Sequence, residues 1–211
     1  MLQEPKLPSG LREITDLADA WAAELPLHGI RAVGGIFCGK DLSGLEVRGG
    51  RMEGCRFSDG SILRAAFFDM CFTDCDFSNC RMTDSYFERC RFQGCKWVGA
   101  DLSGSMLRHV TAETCTFSLA RLDRIECRSV LFRGCDWTET SCTEASLHDF
   151  QAENTWFVRT CFFKTPLDGV DFTENELQGL IVSDTLRELH GMTVRPEQAV
   201  ELISLCGVKV K

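Results

Sequence analysis

Residues 75 to 79 read Cys75-Asp76-Phe77-Ser78-Asn79, and the chain repeats their template for most of its length. Counting from Phe77 in fives, in either direction, lands on an apolar residue at all 29 positions from Leu42 to Val182. With 44% of the chain apolar, chance gives this on the order of 10⁻¹⁰ for a chosen register. Five is neither the helix period nor the strand period, so the backbone must turn by a fixed amount every five residues. A second inward position lies two residues before each centre. It is mostly small, as in Cys55, Gly60, Ala65, Cys80, Ser85 and Ala100. One large and one small buried residue per pentad suits a narrow column.

Every fourth pentad is alike. Phe57, Phe77, Trp97, Phe117, Trp137 and Phe157 form one file twenty residues apart, and Cys55, Cys75, Cys95, Cys115 and Cys135 form another, two residues before it. The file through Leu42, Ile62, Met82 and Leu102 is nearly free of aromatics. Like residues stack on like, so twenty residues make one coil and each coil has four sides. The expected fold is all-β: a quadrilateral β-helix of about seven coils, with an aromatic ladder and a cysteine ladder inside. Its handedness cannot be read from the pattern.

Ala100-Asp101-Leu102-Ser103-Gly104, Cys75-Asp76-Phe77-Ser78-Asn79 and Val170-Asp171-Phe172-Thr173-Glu174 resemble the A(D/N)LXX motif of pentapeptide-repeat proteins. The likeness covers about residues 37 to 184. Residues 191 to 199, Gly191-Met192-Thr193-Val194-Arg195-Pro196-Glu197-Gln198-Ala199, look like the segment that closes the column in pentapeptide-repeat proteins related to the Qnr and MfpA quinolone-resistance proteins. That resemblance implies a homodimer joined through the C-terminal cap, and DNA gyrase or topoisomerase IV as partner.

Three segments are expected. Residues 1–39 form an N-terminal cap, in which Leu11, Ile14, Leu17, Ala18, Trp21 and Leu25 have helical spacing and Pro26 ends the helix. Residues 40–184 form the repeat column, with an irregularity at Pro166, whose missing N–H removes a ladder donor. Residues 185–211 form a capping helix starting at Pro196, with Ala199, Leu202, Ile203 and Cys206 on its apolar side and Gly207 as its stop. Val208-Lys209-Val210 then reads as a short closing strand. Leu202, Ile203 and Cys206 are the candidate dimer residues.

The start of the chain lacks the pattern of a signal peptide, and no apolar stretch is long enough to span a membrane. The 13 cysteines sit mostly at inward positions. Stacked coils lie ~4.8 Å apart, which suits in-register disulfides poorly. There is no CxxC and no paired histidine, so no metal is expected. Buried, reduced thiols imply the cytosol. No catalytic motif appears, and neither enzyme activity nor a cofactor is expected.

Charge is uneven. Residues 40–135 hold 14 bases and 13 acids, whereas residues 136–184 hold ten acids and two bases, a net of −8. Over ~12 Å of rod that is roughly one net charge per 1.5 Å, close to the ~1.7 Å spacing of duplex DNA. Such a surface repels nucleic acid and attracts the proteins that hold it. One reading is therefore a non-enzymatic DNA mimic that binds a type II topoisomerase and protects it from quinolones. Asp149, Glu153, Asp168, Asp171 and Glu174, on two adjacent sides, are its candidate partner-binding residues. Qnr proteins of Gram-negative bacteria carry projecting loops, for which the unbroken register leaves no room; the MfpA type has none. The other reading is a structural rod that binds another cytosolic protein, for which Trp156 and Phe163 sit outward.

Overall fold

The structure, a computed structural model, describes residues 2–23 and 26–209. Among these, ten strands and two α-helices follow in order: β1 (Arg12–Glu13), α1 (Leu17–Ala23), β2 (Leu27–Val33), β3 (Glu46–Glu53), β4 (Ala66–Thr73), β5 (Tyr86–Gln93), β6 (Met106–Glu113), β7 (Glu126–Arg133), β8 (Ser146–Glu153), β9 (Trp156–Val158), β10 (Glu176–Gln178) and α2 (Pro196–Ser204), with a 3-10 turn at Arg187–Leu189 before α2. Strands β1 to β8 form one parallel sheet in chain order, and β9 pairs with β10. The partners Leu27, Val47, Phe67 and Phe87 are twenty residues apart. The fold is a parallel β-solenoid of about eight turns.

The parallel pairing begins before residue 40. Strand β2 pairs with β3 from Leu27↔Val47 onward, which accounts for the coil beyond the seven expected. The period-five register continues back through Phe37 and Ala32 to Leu27, with Ile30 at the second inward position, and all four are buried. Strand β1 covers the exposed edge of β2, a job the sequence assigned to a helix alone. The helix is there too: Leu17 is fully buried, and Ile14, Ala20 and Trp21 pack against the core. Leu25, which extended the helical pattern, lies outside the described residues.

The turn every five residues comes from a backbone torsion. The residue two after nearly every centre takes a positive φ, as at Asp59 (59°), Arg64 (52°), Asn79 (55°), Leu119 (62°) and Gly99 (66°); Glu174 and Asp184 are exceptions. A left-handed L-residue costs roughly 1–2 kcal/mol. Bonds from the next coil outweigh this cost, since the same residue donates its amide upward: Asp59 N to Ser78 O (2.9 Å) and Asn79 N to Val98 O (2.9 Å).

Inside, the aromatic file stacks. Phe57–Phe77 centroids are 4.9 Å apart at 9°, Phe77–Trp97 4.2 Å at 17°, and Trp97–Phe117 5.8 Å at 7°. Trp137 and Phe157 continue the file with tilted rings. The small inward residues are more than filler. Most of the cysteines, serines and threonines among them donate a side-chain hydrogen to a carbonyl 23 residues earlier: Cys75 Sγ to Met52 O (3.3 Å), Ser105 Oγ to Met82 O (2.9 Å), Thr140 Oγ1 to Phe117 O (2.8 Å). All thirteen cysteines are free. Burial pushes the Cys80 and Cys127 thiols up to about 12, as expected for an anion disfavoured in an apolar interior.

The C-terminal cap departs from its expected apolar face. The residue that α2 buries is Gln198. Its amide donates to Phe172 O (2.9 Å) and Asn175 O (2.7 Å), while Arg195 N donates to its side-chain oxygen (2.7 Å). The last coil presents carbonyls that no further coil satisfies, and a buried carbonyl needs a donor. Leu202 packs partly against the core, whereas Ile203 and Cys206 are exposed. Val208 and Lys209 form no strand, and Val210 lies outside the described residues.

Candidate functional site

Among the described residues the column opens above β8. In the preceding coils the residue just before this side's centre donates downward: Tyr86 N to Ala65 O (2.8 Å), Met106 N to Ser85 O (2.9 Å), Glu126 N to Ser105 O (2.9 Å), Ser146 N to Ile125 O (2.9 Å). The next residue in that file is Pro166, which has no N–H to give. The coil that contains it also pairs with the cap in a shifted register. Two extra residues in the cap shift the pairing, so Asp171 bridges Thr193, 22 residues on rather than 20. Leu167 N donates to Glu188 O (2.9 Å) and Phe172 N to Thr193 O (2.9 Å). Glu188, buried in that cap, accepts from Lys164 N (2.7 Å) and from Ser183 Oγ (2.8 Å).

Among the described residues no backbone hydrogen bond joins residues 145–153 to residues 165–173. The ladder closes again on either side, through Glu144 N to Phe163 O (2.9 Å) and Asn154 N to Glu174 O (3.1 Å). Between lies a cleft of about 440 Å³, within the range of ordinary ligand sites. Leu147, Phe150, Ala152 and Val170 give it an apolar floor.

All five acidic candidates, Asp149, Glu153, Asp168, Asp171 and Glu174, line this cleft, and no lysine or arginine does. Glu153 is held at the rim by Arg133 Nε (2.7 Å). The other four make no ion pair among the described residues. Asp171 accepts from Thr173 N (2.8 Å), and that bond lowers its pKa. Hydrogen bonds from Ser129 and then Gln151 do the same for Asp149. Both stay ionised at neutral pH. Asp168 fits because position 191 is glycine: a Cβ on Gly191 would lie 1.8 Å from Asp168 Oδ1, and its φ is +77°.

Elsewhere in the acidic half, three of the five other acids are in ion pairs. Glu139 pairs with Arg159, Glu144 with Lys164 (3.0 Å) and Glu176 with Arg195 (3.5 Å). Uncompensated charge is therefore concentrated at the cleft rather than spread at the even phosphate-like spacing that the composition suggested. Trp156 and Phe163 are exposed, at 49% and 38%, and both lie outside the cleft lining. The candidate dimer residues Leu202, Ile203 and Cys206 do not share one exposed face. Sequence reasoning missed the open backbone edge of β8. Pro166 was its one signal.

Among the described residues no group of three or more potential metal ligands occurs, and no helix is long and apolar enough to cross a membrane.

The geometry defines a β-solenoid built from five-residue repeats, with an acidic cleft near its C-terminal end. The family model for pentapeptide repeats matches residues 71–105 and 85–124, in eight copies, so this part of the chain is built of pentapeptide repeats. Solved structures resemble it in outline. A trypsin-treated variant of QnrB1, a plasmid-mediated fluoroquinolone resistance protein, is 21% identical with a TM-score of 0.48, covering 89% of this chain and 98% of that one. HetL, a pentapeptide-repeat protein involved in heterocyst differentiation regulation in the cyanobacterium Nostoc, is 14% identical with a TM-score of 0.35, covering 86% and 92%. No curated protein matches the chain in sequence.

Proposed function

We propose that this chain is a non-enzymatic protein-binding rod whose acidic cleft docks on a basic surface that ordinarily holds duplex DNA. The supporting observation is the cluster of five carboxylates around one cleft with no lysine or arginine in its lining. Uncompensated negative charge in one place steers a basic partner and speeds its encounter. The resemblance of the repeats and of residues 191–199 to Qnr and MfpA makes DNA gyrase, or topoisomerase IV, the first partner to test, with protection from quinolones as the consequence. Exposed Val200, Ile203 and Val208 on and after α2 suit a homodimer through this end, and the reduced thiols suit the cytosol.

The test is gyrase supercoiling in the presence of a fluoroquinolone, with this protein titrated in. Restored supercoiling supports protection. Inhibition without the drug and no rescue with it would make the protein a competitor of DNA. No effect in either arm refutes the topoisomerase reading. The second reading, a structural rod for another cytosolic protein, is favoured by Trp156, Phe163 and Ile181, which stand exposed outside the cleft.

A further inference from the structure

The open edge of β8 has a chemistry of its own, separate from the charges around it. In each pentad the amides of the centre and of the residue two beyond it point to the next coil, as in Phe57 N to Asp76 O (2.7 Å) and Asp59 N to Ser78 O (2.9 Å). The carbonyl two residues before the centre also points upward and accepts there, as when Cys55 O takes Asp76 N (2.9 Å). On β8 these groups are the amides of Leu147, Asp149 and Ala152 and the carbonyl of Phe150. None has a backbone partner across the cleft. The facing coil does not close the gap: Pro166 has no donor, and the amides of Leu167, Gly169 and Phe172 donate to the cap. A free strand edge is a template for another extended chain.

We infer that the cleft accepts an extended, lysine- or arginine-rich segment of a partner protein, paired as an added strand on the open edge of β8. Alternate side chains of a strand point to opposite sides. One set meets the apolar floor of Phe150, Ala152 and Val170. The other set meets Asp149, Asp168, Asp171 and Glu174, which charge complementarity assigns to basic side chains. The inference uses the same acidic face as the proposed function but rests on backbone atoms, so the two can fail separately. Its rival is that the carboxylates only guard a bare edge against association, as charged residues do at the edges of natural sheets.

The probe is a short fluorescein-labelled peptide of alternating valine and lysine, titrated with the full chain and read by fluorescence anisotropy. Two further peptides carry N-methyl groups on one or the other set of alternate amides, with charge unchanged. The expected result is that one methylated peptide binds roughly tenfold or more weakly, since it loses several hydrogen bonds, while the other binds almost as well as the parent. The amides of Leu147, Asp149 and Ala152 should exchange rapidly in the free protein and slowly with peptide bound. Equal binding of both methylated peptides, no binding of the parent, or unchanged exchange at those amides overturns strand addition. The gyrase assay uses none of these peptides, so its outcome stands apart.

Discussion

Replacing Phe77 with alanine removes a ring that is 1% exposed and has aromatic neighbours on four sides. Phe57 and Trp97 stack on it at 4.9 and 4.2 Å, and Phe72 and Phe92 meet it edge-on at 5.6 and 6.4 Å. Losing a buried Phe costs about 3–5 kcal/mol once the cavity is included, and each ring pair adds about 0.5–1.5 kcal/mol beyond area. The void cannot collapse easily. The coils on either side are pinned by Phe57 N to Asp76 O and Phe77 N to Lys96 O, both 2.7 Å. We therefore expect the upper half of that range, about 4–5 kcal/mol. At roughly 2–4 °C per kcal/mol for a chain this size, the thermal midpoint should fall by roughly 8–20 °C. Circular dichroism melts measure it, with Phe37→Ala as the internal control, since Phe37 meets a single ring, Phe57, at a tilt. Hydrogen exchange should place the loosening in the neighbouring coils, because each coil of a solenoid touches only its neighbours. A Phe77→Ala melt within about 1 kcal/mol of wild type, or no worse than Phe37→Ala, would refute the stacking argument.

Changing Asp168, Asp171 and Glu174 together to lysine should leave the melt nearly unchanged, as all three are exposed. It should abolish capture of the partner; capture that survives would show that the cleft is not the interface. Glu188 is 3% exposed. Burial raises its pKa, but the hydrogen bonds it accepts from its own amide and then from Lys164 and Ser183 outweigh that and leave it lowered. A lowered folded pKa gives stability that is full above the ordinary value of 4.5 and is lost as pH falls through the folded value. Melts of wild type and Glu188→Gln should therefore converge on acidification; a gap that stays constant down to the lowest pH would refute this. A thiol reagent at neutral pH should modify the exposed Cys38 and Cys206 first and the half-buried Cys71 and Cys161 slowly. The buried thiols should react only on unfolding, because the thiolate is the reactive form. Prompt native-state reaction of Cys80 or Cys127 would contradict their burial.

Much of this molecule was legible because its periodicity is local. A side chain every five residues has one role, so Phe57, Phe77 and Trp97 declared a stack and Cys55, Cys75 and Cys95 a narrow wall beside it. The corner torsion was hidden, because Asp59, Arg64 and Leu119 share a positive φ that no common side chain announces. The coil at residues 27–33 keeps the register through Leu27 and Ala32 but was assigned to the N-terminal cap, and only its pairing with β3 places it in the sheet. Gln198 looked like a surface residue until the last coil's carbonyls required a donor. At the cleft the division is clearest. Asp149, Glu153, Asp168, Asp171 and Glu174 could be chosen from sequence because charge is a property of residue type. That they surround one open strand edge depended on the tertiary structure. A proline takes away one donor, the next coil pairs with the cap in a register shifted by two residues, and only the register between coils determines which backbone groups are left unpaired.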